Sequence, residues 1–186
     1  MPVPSARARR RPARGFTLIE LAIVLAVVAI LLRVATPGLS RTFAARALAA
    51  QSSQFMATLR FARASALQRG LAVTVCASAS EGRAPACQGP RAADWRSGWL
   101  VFVDRERRGV PDAGAPLLRI QQALQHSGGV AGTRGRISFT AGGFSTDGSS
   151  HFLFSPETGV ADAPPPVMVC VSKQGRPRLA GTGACD

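Results

Sequence analysis

Four cysteines are the side chains of this sequence best suited to covalent chemistry: Cys76, Cys87, Cys170 and Cys185. None belongs to a C-x-x-C pair, and neither histidine has the spacing of a zinc site. An even number of cysteines predicts disulfides if this part of the chain is exported from the cytoplasm. Four cysteines allow three pairings, and proximity along the chain favours Cys76–Cys87 and Cys170–Cys185.

A short basic motif near the carboxyl terminus could bind phosphate. It reads Gly175-Arg176-Pro177-Arg178 and follows Lys173. Two guanidinium groups on either side of a rigid proline suit the oxygens of a phosphate. The whole chain is basic, with a net charge of +13, so a solvated turn is the alternative interpretation. Both interpretations stay open from the residues alone.

The other polar clusters do not indicate catalysis. The loop from Asp104 to Asp112 mixes three acids with three arginines, and it lacks the oxygen-ligand pattern of a calcium loop. A hairpin with surface ion pairs is the prediction there. His126 and His151 stand in polar loops and are expected at the surface. Because the sequence has no nucleophile elbow, phosphate loop or metal-binding cluster, we predict no enzyme activity, no cofactor and no metal site.

Residues 16–32 form an apolar run that is just long enough to cross a bilayer as a helix. Five arginines precede it, which predicts that the start of the chain stays cytoplasmic and the remainder faces outward. A signal peptide would need a small-x-small site where Arg33 and Pro37 stand. Glu20 argues against both a signal peptide and a plain anchor, because a carboxylate in a membrane helix costs about 2.5–3.5 kcal/mol.

The stretch Gly15-Phe16-Thr17-Leu18-Ile19-Glu20 resembles the processing site of type IV prepilins and type II secretion pseudopilins. The resemblance implies that a prepilin peptidase cuts between Gly15 and Phe16 and methylates the new amino terminus. Glu20 would then pair with the α-amino group of a neighbouring subunit inside an apolar filament core, relieving the desolvation of both charges. Pro37 stands where the family has a recurring proline, which predicts a kink or short break in the helix.

The elements around these residues predict an α+β, pilin-like fold. A long amino-terminal helix, half membrane-embedded and half amphipathic, would pack on a carboxy-terminal antiparallel β-domain. Its second half carries an apolar stripe at helical spacing: Leu48, Phe55, Leu59, Ala62 and Ala66. Strands are predicted near residues 71–77, 98–104, 117–124, 136–140, 152–154, 167–172 and 178–180, with a helix as the alternative for 117–124. The predicted domains are a cleaved leader (1–15), a transmembrane or filament-core helix (16–38), an amphipathic helix (39–70) and a periplasmic β-domain (71–186).

Three features of the β-domain resemble the GspH/FimT group of minor pilins and pseudopilins. They are Cys76 after a helix end, the Trp95-x-x-Gly98-Trp99-x-x-Phe102-x-Asp104 stretch, and Gly175-Arg176-x-Arg178 ahead of Cys185. Trp95 and Trp99 are predicted to be core aromatics. In DNA-uptake pilins of the FimT kind a GRxR motif is implicated in DNA binding, so the resemblance makes Lys173, Arg176 and Arg178 DNA-binding candidates.

The expected function is therefore that of a minor pilin or pseudopilin subunit. It would sit in the inner membrane with a single span and a periplasmic domain, and then enter a type II secretion pseudopilus or a type IV pilus. Its expected partners are the prepilin peptidase and other minor pilins or pseudopilins. The alternative is a minor pilin that captures DNA for uptake in natural transformation.

Overall fold

The computed structural model describes residues 17–79, 85–112, 114, 116–180 and 185, and of residues 34–37 it describes the backbone alone. These described residues form one long helix followed by eight strands. The helix is α1 (Leu18–Arg69). The strands are β1 (Val73–Ala77), β2 (Trp99–Val103), β3 (Leu117–Gln121), β4 (Gly129–Gly132), β5 (Arg136–Phe139), β6 (Ser150–Ser155), β7 (Val167–Val171) and β8 (Pro177–Ala180).

Helix α1 ends where the sequence predicts it. Residues 39–69 contain no proline or glycine, so nothing in that stretch interrupts the helix. Gly70 follows with φ +64°, a left-handed conformation that glycine adopts without strain, and its N–H donates to the carbonyl of Ala66 at 3.0 Å. This arrangement satisfies one of the last free carbonyls of the helix and turns the chain into β1.

The chain divides after Pro37 into two compact units, Met1–Pro37 and Gly38–Asp186. In the first unit the large apolar side chains of residues 18–32 are all exposed, from 43% for Val28 to 86% for Leu18. Among the described residues no single helix has the length and composition of a membrane span, whereas Leu18–Arg33 and Gly38–Arg69 have them together. The bounds of the four predicted domains remain predictions.

The second unit contains two antiparallel sheets that enclose one core. The first sheet has the order β3-β2-β1-β5, and the second has the order β4-β6-β7-β8. The second half of α1 supplies the helical part of the same core, and the predicted stripe is confirmed because all five of its residues are buried. Trp95 and Trp99 are fully buried, as predicted.

Phe55 occupies the centre of this core. Its ring lies 4.9 Å from the ring of Trp99 and 4.7 Å from that of Phe152, both in edge-to-face geometry. The rings of Trp95 and Phe154 lie 5.5 and 5.6 Å away. Aromatic pairs at such distances are favourable beyond the area that they bury. Phe55 of α1 therefore packs against Trp99 of β2, against Trp95 in the loop before β2, and against strand β6.

Strand β4 is the element that the sequence did not predict. It contains two glycines, and glycine weakens the strand signal. Its pairing with β6 and the packing of its last residue explain why it forms. A Cβ atom at Gly132 would lie 2.5 Å from Nε1 of Trp95, so only glycine leaves room for the indole. That Nε1–H donates to the carbonyl of Arg134 at 2.8 Å. Tertiary contacts thus select a strand that local propensity disfavours.

Candidate functional site

The predicted cleavage site lies outside the described residues, because the structure describes neither Gly15 nor Phe16. The side chain of Pro37 is outside them as well. The first described functional residue is Glu20, which is exposed in the first turn of α1. The roles assigned to Gly15, Phe16, Glu20 and Pro37 therefore remain proposals.

Glu20 and Thr17 form a reciprocal cap at the start of α1. The backbone N–H of Glu20 donates to Oγ1 of Thr17 at 3.3 Å, and the N–H of Thr17 donates to Oε2 of Glu20 at 3.4 Å. This is the capping box, which satisfies two backbone donors that a helix start otherwise leaves free. The T-x-x-E spacing was visible in the sequence, although the sequence reasoning assigned Glu20 only a charge-pairing role. Glu20 thus caps its own helix, and the proposed pairing of its charge with a neighbouring subunit is a separate role.

Both disulfides are present, in the pairing that sequence proximity favours. Cys76 bonds to Cys87 and Cys170 bonds to Cys185, each with Cα atoms 5.6 Å apart. Cys76 lies on β1 against buried Leu100 in a small apolar cluster on one face of the first sheet. Cys170 lies on β7 directly opposite Arg178 of β8. The second bridge therefore ties residue 185 to the hairpin that carries the basic motif.

The basic motif lies on the β7–β8 hairpin: Gly175 and Arg176 end the turn, and Pro177 and Arg178 begin β8. Lys173, Arg176 and Arg178 are all exposed. Hydrogen bonds close the turn: Gly175 N–H donates to the carbonyl of Ser172 at 2.8 Å, and Ser172 N–H donates to the carbonyl of Arg176 at 3.2 Å. The structure thus brings the three predicted cationic residues onto one short hairpin.

Gly175 holds this turn against the rest of the domain. It is buried with φ +72°, and a Cβ atom there would clash with the carbonyl oxygen of Gly143. That same oxygen accepts a hydrogen bond from Nε of Arg63 on α1 at 2.9 Å. The side chain of Arg63 is half-buried in this contact. The basic turn is therefore fixed to α1 through the loop around Gly143.

We expect Gly175→Ala to lower the melting temperature clearly more than Gly148→Ala. Both glycines have positive φ, +72° and +76°, but only Gly175 faces a backbone oxygen, whereas no atom lies within 4 Å of a Cβ at Gly148. Left-handed strain alone costs about 1–2 kcal/mol. The difference between the two variants in thermal unfolding isolates the clash with Gly143, and equal melting temperatures would show that the contact is not tight.

Asp104 organises the loop that was weighed as a calcium site. Its carboxylate is buried and accepts hydrogen bonds from Oγ1 of Thr74 at 2.9 Å, the N–H of Gly109 at 2.8 Å and the N–H of Arg108 at 2.9 Å. These three contacts use most of the lone pairs through which the carboxylate could bind a cation. Asp112 holds the pKa of Arg108 above its usual value, by hydrogen bond and by charge. No group of three metal-binding side chains occurs in the described part of the chain.

The two histidines are exposed, as the sequence predicts. Nδ1 of His126 lies 3.4 Å from Oε2 of Glu157, a contact that becomes an ion pair when the imidazole is protonated. The backbone of His126 is left-handed, with φ +52°. The predicted loop position of His151 is wrong, because this residue lies on β6 opposite Cys170. Neither histidine lies in a group of side chains able to hold a metal among the described residues.

Comparisons with known proteins match two separate parts of the chain to family models. The model described as "Type II transport protein GspH" matches residues 51–175. The model described as "Prokaryotic N-terminal methylation motif" matches residues 10–32. The first match spans α1 from Gln51, the whole first sheet, three strands of the second sheet and most of the β7–β8 turn, and it ends before β8. The second spans three of the five leading arginines, the predicted cleavage site and the apolar run. No curated protein matches the chain.

Two solved structures share the fold, both of the type IV minor pilin FimU from Pseudomonas aeruginosa in different crystal forms. The first is 20% identical with a TM-score of 0.55, and the match covers 73% of this chain and 89% of that one. The second is 19% identical with a TM-score of 0.52, covering 73% of this chain and 94% of the other. At this low identity the structural similarity shows the fold alone, a long amino-terminal helix on antiparallel sheets.

Proposed function

Because this chain belongs to the family of type II transport protein GspH, a family of structural pilin subunits rather than enzymes, we propose that it assembles as a minor subunit into a type II secretion pseudopilus or a type IV pilus. The observation that supports the proposal is the exposed apolar helix at residues 18–33, nearly all of which lies within the match to the methylation motif at residues 10–32. Apolar side chains exposed over such a length need a lipid or protein environment.

The two units of the chain suggest an order of processing, membrane insertion and assembly. The leader (1–15) stays in the cytoplasm, and a prepilin peptidase cuts after Gly15 and methylates Phe16. The helix of residues 16–38 then spans the inner membrane once, with the amphipathic helix (39–70) and the β-domain (71–186) in the periplasm. Two disulfides fit an oxidising compartment of this kind. On assembly, the membrane helix moves into the filament core, where Glu20 meets the amino terminus of a neighbour.

The amino terminus of the mature chain tests this proposal. We expect mass spectrometry of full-length protein from membranes and from sheared filaments to find N-methylated Phe16 as the first residue. Gly15→Leu should leave the leader attached, because a large side chain then stands at the cleavage position, while Arg14→Lys should be processed normally. A chain that keeps its leader, or one cut beyond Arg33, would rule out the prepilin pathway.

The subunit could be incorporated by a type II secretion machine or by a type IV pilus machine, and the two roles need separate tests. The family model carries a type II transport description, while the two solved structures that share the fold are type IV minor pilins. Deleting the gene in the native host and measuring secreted enzymes and surface pili in parallel separates the roles. Loss of secretion alone assigns the secretion pseudopilus, and loss of pili alone assigns the pilus.

A second candidate function is DNA capture by the β7–β8 turn. The observation that favours it is the exposure of Lys173, Arg176 and Arg178 together on one hairpin that Gly175 and the Cys170–Cys185 bridge hold in place. A fixed cationic loop suits phosphate oxygens because its side chains need little further ordering. Such binding would be largely blind to sequence, since phosphates carry no base information.

We expect a fragment starting at Gly38 to bind labelled duplex DNA with a dissociation constant of about 10⁻⁴–10⁻⁶ M that rises steeply with salt. The double variant Arg176→Ala/Arg178→Ala should weaken binding at least about tenfold and reduce the salt slope by about one per lost phosphate contact. The double variant Arg60→Ala/Arg69→Ala is the matched control, because it removes the same charge from exposed positions on α1. An equal loss of affinity in both variants would show that DNA binding depends only on the overall positive charge. It would contradict DNA capture by the β7–β8 turn.

A further inference from the structure

An exposed aromatic side chain lies beside the basic β7–β8 turn. Phe144, in the loop between β5 and β6, is 57% exposed. The N–H of the next residue, Ser145, donates to the carbonyl of Lys173 at 3.0 Å, and this bond joins the loop to the basic turn. The preceding residue, Gly143, packs against Gly175 of the same turn. Both chain neighbours of Phe144 therefore contact the basic turn, and neither proposed function assigns a role to the ring.

Hydrogen bonds hold the backbone of Phe144 in a closed turn. Its N–H donates to Oγ1 of Thr140 at 3.2 Å, and its carbonyl accepts the N–H of Thr140 at 2.9 Å. The N–H of Gly143 donates to the carbonyl of Thr140 at 2.8 Å. Gly143 is buried with φ +76°, a conformation that favours glycine. Because its backbone is fixed in this way, the exposed ring loses little conformational freedom when a ligand covers it.

Leu67 of α1 adds apolar surface beside Gly143. It is 51% exposed, and its Cδ2 would lie 3.2 Å from a Cβ atom at Gly143. A single exposed apolar side chain is ordinary on a protein surface. Here two such side chains, Leu67 and Phe144, lie next to one buried glycine that also holds the basic turn. Apolar surface and positive charge therefore occur at the same place on the second unit.

The charge at this place suits a polyanion. Lys173 and Arg176 are exposed on the turn that the Phe144 loop contacts. The acid closest to Phe144 in the sequence is Asp147. Its carboxylate accepts the N–H of Ser138 at 3.0 Å and lies 4.0 Å from Nη1 of Arg134. The carboxylate of Asp147 is thus held by its own loop and by a cation, so it opposes the positive charge of the turn only weakly.

We propose that an unpaired base stacks on the ring of Phe144 while the basic turn binds the adjoining phosphates, so that the site takes single-stranded DNA in preference to duplex. The inference rests on the second candidate function, DNA capture, and names the form of DNA that is bound. Every base has a π-face, so stacking on an aromatic ring tolerates any sequence. In a duplex the neighbouring base pairs cover those faces, which leaves the ring no partner except at an end.

Fluorescence anisotropy of the full-length protein in detergent tests the proposal, with a labelled strand of about 20 nucleotides and the blunt duplex of the same sequence. We expect the strand to bind at least about fivefold more tightly than the duplex. Phe144→Leu should weaken binding of the strand at least about fivefold and leave binding of the duplex nearly unchanged, because leucine keeps apolar bulk without a π-face. Phe144→Trp should keep the affinity for the strand.

Phe43→Leu is the matched control, and it should change neither affinity. Phe43 is 62% exposed, but it lies about 36 Å from Leu67 along α1. Salt separates stacking from charge. The loss of affinity in Phe144→Leu should be the same factor at low and high salt, whereas Arg176→Ala/Arg178→Ala should flatten the salt dependence. Because the ring is exposed, the melting temperatures of Phe144→Leu and Phe144→Trp should equal that of the unmodified protein.

Each result supports or overturns the stacking proposal. A loss specific to the single strand that Phe144→Trp does not share supports it. Unchanged binding of the strand by Phe144→Leu, or an equal loss for strand and duplex, overturns it and leaves DNA capture by the basic turn intact. No binding of either form rules out DNA capture and stacking together. Normal DNA binding by Phe144→Leu with poor entry into filaments would overturn stacking and assign the ring to a protein contact.

Discussion

Replacing Glu20 with glutamine is expected to reduce incorporation of the subunit into filaments by at least about tenfold, because an unpaired charge left in an apolar interior costs about 3–5 kcal/mol. In the proposed filament the charge left unpaired is the α-amino group of the neighbouring subunit. Glutamine keeps the length of the side chain and is also accepted at the third position of a capping box. The substitution therefore removes the carboxylate charge while retaining the local cap. Quantitative detection of the subunit in sheared filaments is the measurement.

Thr17→Val is the matched control, since it removes the hydroxyl that accepts the Glu20 N–H and leaves the carboxylate in place. Loss of a cap costs about 1 kcal/mol, so incorporation should fall by no more than a few fold. The opposite pattern, with Glu20→Gln harmless and Thr17→Val defective, would show that Glu20 acts by capping its own helix. In that case the pairing with a neighbour would be wrong.

Phe55→Ala is expected to destabilise the second unit by about 3–5 kcal/mol, the range for deleting a large aromatic from a packed core. The value should lie at the upper end because four aromatic rings surround Phe55 within 5.6 Å. At this size each kcal/mol corresponds to about 2–4 °C, so the melting temperature should fall by about 10 °C. Thermal unfolding of the fragment starting at Gly38, with both disulfides intact, measures it.

Phe61→Ala provides the comparison within the same helix. Phe61 is 36% exposed, and its ring packs against the guanidinium of Arg119 at 5.0 Å rather than against the core. Such a partly exposed cation–π contact adds only about 0.5–1 kcal/mol. A loss of stability at Phe61 as large as that at Phe55 would contradict the position of the core described here.

Local patterns in the sequence predicted the long helix and most of the strands. The apolar stripe at helical spacing identified the buried face of α1, and Gly70 marked its end, because both depend on neighbours within a few residues. The strand β4 and the short extent of β3, which ends at Gln121 rather than Leu124, were not predicted. Gly129 and Gly132 carry no strand signal, and their pairing with β6 depends on residues twenty or more positions away.

The sequence by itself determined the class of the protein. A basic stretch, a methylation motif and an apolar run with one acid are contiguous or overlap in the sequence, so recognising them does not depend on folding. Only the tertiary structure decided that Gly175 fixes the basic turn against Gly143, that Asp104 caps its own loop, and that Phe144 lies beside the basic turn. Each of these brings together residues far apart in the chain, and long-range packing sets such distances where local preference cannot.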